Sequence, residues 1–355
     1  MELVDVSGTP RAMGRSHGEQ CREPIAREVD GQLDGVARRW RLSRDAALHR
    51  FRVFLPLFER AAPASVEEMR GIAEGAGRSF DEILFLNALH GGAEAIEPGA
   101  ATTSDGCTAF AARPPATADG AVLAGQSKDT GPSSRERYYL LRTRPARGPR
   151  VLALTYPGLL ALLGISSGGV AVFGNALYGR RPVFGGTHAM PRRPILESAS
   201  AKEAVRVFDR LPQWADGNFL VADAGGEMVS VESLGGRIRR VEPDGAVLVH
   251  ANHILHPDLA ADENYPRRAV ESEPRHRRMA ELLAAGDGRL TPAHCMAAFR
   301  DHANDPDSIC RHGGQLGGSP RCETTGAFVA DLKARVLHVC LGQPCRGEFA
   351  AYGFD

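Results

Sequence analysis

No stretch of this 355-residue chain approaches the roughly 20 consecutive apolar residues that a membrane helix needs. Its most apolar window, 151–172, is broken by Pro157, Gly158, Gly164, Gly168 and Gly169. An excess of charge of one sign is also missing. The 43 Lys plus Arg balance 43 Asp plus Glu, so neither a nucleic-acid backbone nor an anionic membrane is expected as a partner. The opening Met1-Glu2-Leu3-Val4-Asp5 lacks the basic and then apolar layout of a secretory signal, and the cytoplasm is the expected location. Seven dispersed cysteines, an odd number, do not suit a disulfide framework and leave at least one thiol free for chemistry. There is no Gly-x-Gly-x-x-Gly unit, no Walker loop and no His-Glu-x-x-His helix. His250, His253, Cys310, His312 and Cys322 are suitable ligand types, but they do not form the two spaced pairs of a structural zinc site. Neither a metal nor another cofactor is therefore expected.

What the chain does contain divides near Thr102. From Pro10 to about Ile96 the periodicity is helical. Ile25, Val29, Leu33 and Val36 recur on one face, as do Leu48, Phe51, Leu55 and Phe58, with Pro56 placed to interrupt. The run from Ser65 to Glu68 reads as a capping box, and Ser79 to Glu82 opens a further helix. After Thr102, short apolar runs predict strands at 107–112, 121–125, 137–143, 151–156, 170–173, 219–223, 227–232, 246–252, 325–332 and 336–341. Helices are expected at 201–210, 274–285 and 292–301. Runs of strands flanked by helices, without strict alternation, predict an α+β sandwich with largely antiparallel sheets.

Chemistry concentrates at Ser104-Asp105-Gly106-Cys107-Thr108. A small-residue linker, a glycine and a cysteine opening a strand suit autoprocessing. Glycine tolerates unusual backbone angles that present its carbonyl to the next residue's thiol. Thioester formation and hydrolysis then leave Cys107 as a new chain start. A free α-amine, whose reference pKa is about 8, takes the proton of its own thiol, uniting base and nucleophile. The alternative is a buried core cysteine at the head of a strand. A rival motif, Gly164-Ile165-Ser166-Ser167-Gly168, has the pattern of a serine-hydrolase elbow. The run that follows it reads as a strand through a glycine turn, so a hairpin is expected there.

Asp105-Gly106-Cys107-Thr108, followed by Gly125-Gln126-Ser127-Lys128-Asp129, resembles the acyl-coenzyme A:isopenicillin N acyltransferase family of the N-terminal-nucleophile hydrolases. Further matches lie in order along nearly the whole chain: 8–18, Ala251-Asn252-His253, the Asp301-His302-Ala303-Asn304 stretch leading to Ser308-Ile309-Cys310-Arg311-His312, and 326–341. The resemblance implies an αββα fold, split into a helical α fragment, 1–106, that stays bound, and a β fragment, 107–355. It implies Cys107 as nucleophile, Asp129 holding the α-amine, and Asn252 as the oxyanion-hole amide. Arg321 is placed as a carboxylate anchor, with Thr324 and Thr325 beside the nucleophile. Each keeps a plainer alternative: a turn cap for Asp129, a strand-end partner for Asn252, a surface arginine for Arg321, ordinary strand positions for the threonines. His17 reads as a helix-packing histidine. Ser127 and Lys128 depart from the family's Asn and aromatic before the acid, which bears on substrate preference. The expected function is an autoprocessed cysteine amidohydrolase or acyltransferase acting on a small-molecule amide or acyl donor. The other class is an unprocessed binding protein of the same fold.

Overall fold

Two β-sheets face each other across an apolar interior in the computed structural model, which describes residues 1–96, 106–286, 288–316, 319–320 and 322–355. The eight-stranded sheet runs β1 (Leu3–Gly8), β4 (Tyr139–Pro145), β5 (Val151–Thr155), β6 (Leu163–Ser166), β7 (Val170–Asn175), β8 (Gly217–Asp223), β9 (Met228–Leu234) and β10 (Arg237–Val241). The six-stranded sheet runs β11 (Val247–His250), β2 (Gly106–Ala112), β3 (Leu123–Thr130), β14 (Glu323–Asp331), β15 (Val336–Leu341) and β16 (Ala350–Tyr352). In sequence between β11 and β14, a ribbon pairs β12 (Gln315–Leu316) with β13 (Ser319–Pro320). Among the described residues every pairing within the two sheets is antiparallel except β1 on β4.

Strand alternation sorts the side chains of β2 and β3 into two cores. Ala109, Ala111 and Ala124 point into the core shared with the eight-stranded sheet. Phe110, Ala112 and Leu123 meet Met279, Leu283, Cys295 and Phe299, which belong to the segment carrying helices α9 (Glu273–Ala285) and α10 (Pro292–Ala298). Cys107 is in phase with Ala109, so the strand's own pleat turns its thiol toward the space between the sheets. On the other side lie α1 (Pro10–Gln20), α2 (Arg22–Trp40), α3 (Arg44–Phe51), α4 (Leu55–Ala61), α5 (Pro63–Ala76) and α6 (Phe80–Ile96), with α7 (Arg192–Leu196) and α8 (Ala201–Ala204) against β7 and β8. The layer order is helix, sheet, sheet, helix. This is the expected α+β sandwich.

The N-terminal segment is not helical throughout: β1 precedes α1, with Val4 and Val6 buried. The interruption near Pro56 is present as a 3-10 turn, Arg52–Phe54, between α3 and α4. Ser79 caps α6 as expected, its Oγ accepting from the Glu82 N–H at 3.3 Å while the Glu82 carboxylate accepts from the Ser79 N–H at 2.9 Å. The box at Ser65 does not form. The helix starts earlier, at Pro63, whose missing N–H costs nothing in a first turn. Glu68 instead pairs with Arg193 at 2.6 Å, both buried. His17 is buried with Nε2 on the Tyr139 hydroxyl. The Gly164–Gly168 motif is a hairpin: β6 turns through Gly169, φ +89°, into β7, and Ser166 is buried. Among the described residues no helix is long and apolar enough to cross a membrane.

Candidate active site

Cys107, the second residue of β2, lies at the edge of a pocket whose walls come from both sheets and from α6. Helix α6 breaks at His90 and Gly91, the latter at φ +85°. A side chain on Gly91 would meet the Ala215 Cβ at 2.7 Å, so only glycine permits both the turn and the approach. The break puts His90 on the pocket wall, stacked beside Tyr156 with ring centroids 6.4 Å apart. Gln126 and Lys128 from β3, Asn175 from the end of β7, His188 and Arg192 add to the polar lining. The described lining residues include two cationic side chains and no carboxylate. Burial pushes the Arg192 guanidinium down to about 10, which leaves it charged at neutral pH. It is anchored by donating from Nε to the His188 carbonyl at 3.0 Å.

The backbone of Cys107 is held at both ends. Its N–H donates to Asn252 Oδ1 at 2.8 Å, and Arg275 Nη2 donates to the same oxygen at 2.9 Å. Its carbonyl accepts from Asn175 Nδ2 at 3.0 Å and from Arg275 Nη1 at 2.8 Å. Asn175 is oriented in turn by Asn218, its register partner on β8, whose Nδ2 donates to Asn175 Oδ1 at 3.0 Å. The Asn252 amide nitrogen donates to the Ala176 carbonyl at 3.1 Å. In this continuous chain, then, Asn252 meets the nitrogen of Cys107 through its oxygen, while Asn175 brings a side-chain amide nitrogen to the pocket.

Asp129 pairs in register with Gly106 across β2 and β3. Its Oδ1 accepts from Thr324 Oγ1 at 2.8 Å, and its Oδ2 lies 3.5 Å from Arg311 Nε. Arg311 Nη2 also reaches Glu271 at 3.3 Å. Burial raises the Asp129 pKa, against the opposing pull of Arg311, Arg275 and the Thr324 hydroxyl. A Cβ on Gly106 would lie 2.7 Å from Asp129 Oδ2 and 2.9 Å from Arg311 Nη1. Gly106 is extended in β2 rather than at positive φ, so glycine is required there for space, not for an unusual backbone angle. Thr325 bonds Thr130, 2.8 Å, and Tyr138, 3.1 Å, inside the sheet.

Cys107, Asp129, Asn252 and Thr324 are thus brought together, while Arg321 lies outside the described residues. The arginines around Cys107 and Asp129 are Arg275, Arg311 and Arg192, which the sequence reading did not single out as site residues. Arg275 had a legible signal. It shares the buried stripe of α9 with Met279 and Leu283, at four-residue spacing, and a charge on an apolar stripe needs buried partners. Asn175 had a weaker one, a polar residue closing the apolar run of β7. Among the described residues a single group of His, Cys, Asp or Glu side chains converges as metal ligands do, His302, Cys310, His312 and Cys345, and none of these lines the Cys107 pocket.

The model of the acyl-coenzyme A:6-aminopenicillanic acid acyl-transferase family matches residues 116–346. The 40 kDa form of acyl-coenzyme A:6-aminopenicillanic-acid-acyltransferase from Emericella nidulans is 30% identical over 348 residues, which is 96% of this chain and 92% of that protein. Two solved structures are similar at lower identity. Penicillin V acylase from Agrobacterium tumefaciens shares 15% identity over 66% of this chain and 83% of its own, with a TM-score of 0.46. A variant of conjugated bile acid hydrolase from Clostridium perfringens shares 12% over 70% of this chain and 97% of its own, with a TM-score of 0.48.

Proposed function

We propose, for a chain that belongs to the acyl-coenzyme A:6-aminopenicillanic acid acyl-transferase family, that Cys107 first cuts its own preceding peptide bond and then carries an acyl group as a thioester. The observation that carries this reading is the setting of the Gly106–Cys107 link. Its nitrogen and the carbonyl that follows are fixed by Asn252, Asn175 and Arg275, and Gly106 is pressed against Asp129 and Arg311. In the cut, a C–S bond forms at the Gly106 carbonyl as the C–N bond breaks, and the thiol proton passes to the departing nitrogen. Water then hydrolyses the thioester. Residues 1–106 remain as an α fragment docked on the β fragment, 107–355, whose first residue carries a free amine.

In turnover that amine takes the Cys107 thiol proton, and the thiolate attacks an amide or thioester carbonyl. Asn252 Oδ1 keeps the amine oriented through the contact it already makes with this nitrogen, and Asp129 with Arg311 sets the charge behind it. The Asn175 side-chain amide, which lines the pocket and is fixed by Asn218, donates to the oxyanion. The proton returns to the leaving amine or thiolate, and water or an acceptor amine resolves the acyl-enzyme. Lys128 and Arg192, two cationic side chains on the pocket wall, favour a small substrate bearing a carboxylate or another anionic group.

Denaturing gels and intact mass of the purified protein test the cut. Two fragments, split at Gly106–Cys107, are expected from the wild type and one uncut chain from Cys107→Ala. Incubation with an acyl-coenzyme A is expected to add one acyl mass to the fragment beginning at Cys107. A wild-type chain that transfers or hydrolyses acyl groups while still uncut would sink the reading.

A further inference from the structure

We propose that His302, Cys310, His312 and Cys345 form a structural Zn2+ site that fastens the loop after α10 to the turn after β15. All four ligand atoms lie within 4.8 Å of one another. The His302 and His312 Nε2 atoms are 2.9 Å apart, and the Cys345 Sγ is 3.3 Å from the same His312 nitrogen. Tetrahedral zinc with two sulfur and two nitrogen ligands, at bond lengths near 2.3 and 2.0 Å, sets its ligand atoms about 3.3 to 3.8 Å apart. The cluster is already drawn to nearly that spacing.

Its donor geometry asks for a cation. One imidazole nitrogen is either a donor or an acceptor, yet His312 Nε2 is approached by both a second imidazole nitrogen and a thiol. A metal ion replaces that competition with lone pairs directed at a common centre. The donor set names the ion: thiolate with imidazole suits Zn2+, whereas Ca2+ and Mg2+ take oxygen. Binding releases the two thiol protons to solvent, and the site becomes dianionic thiolate with neutral imidazole around a dication.

The surroundings give the site a purpose. Cys310 and His312 flank Arg311, whose guanidinium faces Asp129 and Glu271 and crowds Gly106. The turn that carries Cys345 is tied back by Arg300, which donates from Nε to the Pro344 carbonyl at 3.0 Å. A metal holding Cys310, His312 and Cys345 together fixes the backbone on both sides of Arg311. Arg311 is here a positioning residue, and the ion touches no substrate. Linear spacing hid the set because Cys345 is more than thirty residues from the other three.

The test uses the full chain with its thiols reduced, loaded with Zn2+ and dialysed against a weak chelator, with metal counted by mass spectrometry. One zinc per chain is expected. Co2+ in its place should give the visible bands of a tetrahedral ion and a near-ultraviolet thiolate band. His302 is exposed, so His302→Ala leaves packing intact. It and Cys345→Ser should each weaken Zn2+ binding by more than about 100-fold, since changes merely behind a ligand already cost 10- to 100-fold. A reduced wild-type chain that keeps no zinc, or one whose zinc either variant keeps equally well, overturns the site. These readouts need no turnover, so they stand apart from the fate of the Cys107 proposal.

Discussion

Asn175 is the residue on which the chemistry of the pocket can be tested most sharply. Its amide nitrogen reaches the Cys107 carbonyl, its oxygen is held by Asn218, and both asparagines are buried. Replacing Asn175 by Ala removes a preorganised donor without adding volume. Loss of one oxyanion donor costs roughly 10² to 10³ in kcat. The expected outcome is fragments that still form but acylate slowly, read as the rate of mass gain on the Cys107 fragment with an acyl-coenzyme A. Unchanged acylation would assign the oxyanion to another group. At this scale the sequence yielded the residues whose order along the chain is diagnostic, Cys107, Asp129 and Asn252. It did not yield Arg275, Arg311 or Arg192. A lone arginine carries no local pattern, and its value comes from partners far away in sequence, such as Glu271 and Asp129 around Arg311. The one exception, Arg275, could be read from its place on an apolar stripe.

Among the elements, α1 and α5 make the tightest contact. Gly14 and Gly18 face Gly71 and Gly75, and a Cβ on Gly14 would lie 1.9 Å from the Glu68 carbonyl oxygen, one on Gly75 2.0 Å from that of Arg15. The clashing atoms are backbone, so no side chain can turn aside. Gly14→Ala or Gly75→Ala is expected to destabilise by about 3 kcal/mol or more, beyond the gain in helix propensity. Gly31, inside α2, has nothing within 4 Å of its Cβ position, and Gly31→Ala should stabilise by roughly 0.5 to 1 kcal/mol. Urea titrations of the three variants measure both signs. Equal effects would show that close approach does not decide the cost. Helices such as α2 and α6, and strands such as β2, β14 and β15, were legible because their apolar period or their caps are local. The strand β1 was not: it is six residues long and its partner β4 lies well over a hundred residues on. The capping reading at Ser65 failed for a related reason, since Glu68 is bound by Arg193 rather than by its own helix start.

Across the whole molecule, buried histidines set how the fold responds to acid. Burial pushes His17 down to about 3, and His253 down to about 2 with help from the nearby Arg268 and Arg275 charges. In the unfolded chain both titrate near 6.5. Below that pH the unfolded state binds protons that the folded state refuses, so stability is complete above about 6.5 and is lost as pH falls. Each group costs about 1.4 kcal/mol per pH unit. Glu68 acts in the opposite sense. Burial raises it to about 7, so its protonation favours the folded state between about 7 and 4.5. His90, His188 and His276 are pushed down in the same way, to about 3, 4 and 4, so the losses outnumber the one gain and stability falls as pH drops toward about 4.5. Below that the Glu68 gain is exhausted, while His188 and His276 begin to take up protons within the fold near pH 4. Thermal melts at steps from pH 7.5 to 4 are expected to trace this decline, and Glu68→Gln should steepen it between about 7 and 4.5, where Glu68 opposes it. A melting temperature constant over that range would mean that these imidazoles take up protons inside the fold, and that the cores around His17 and His253 admit water.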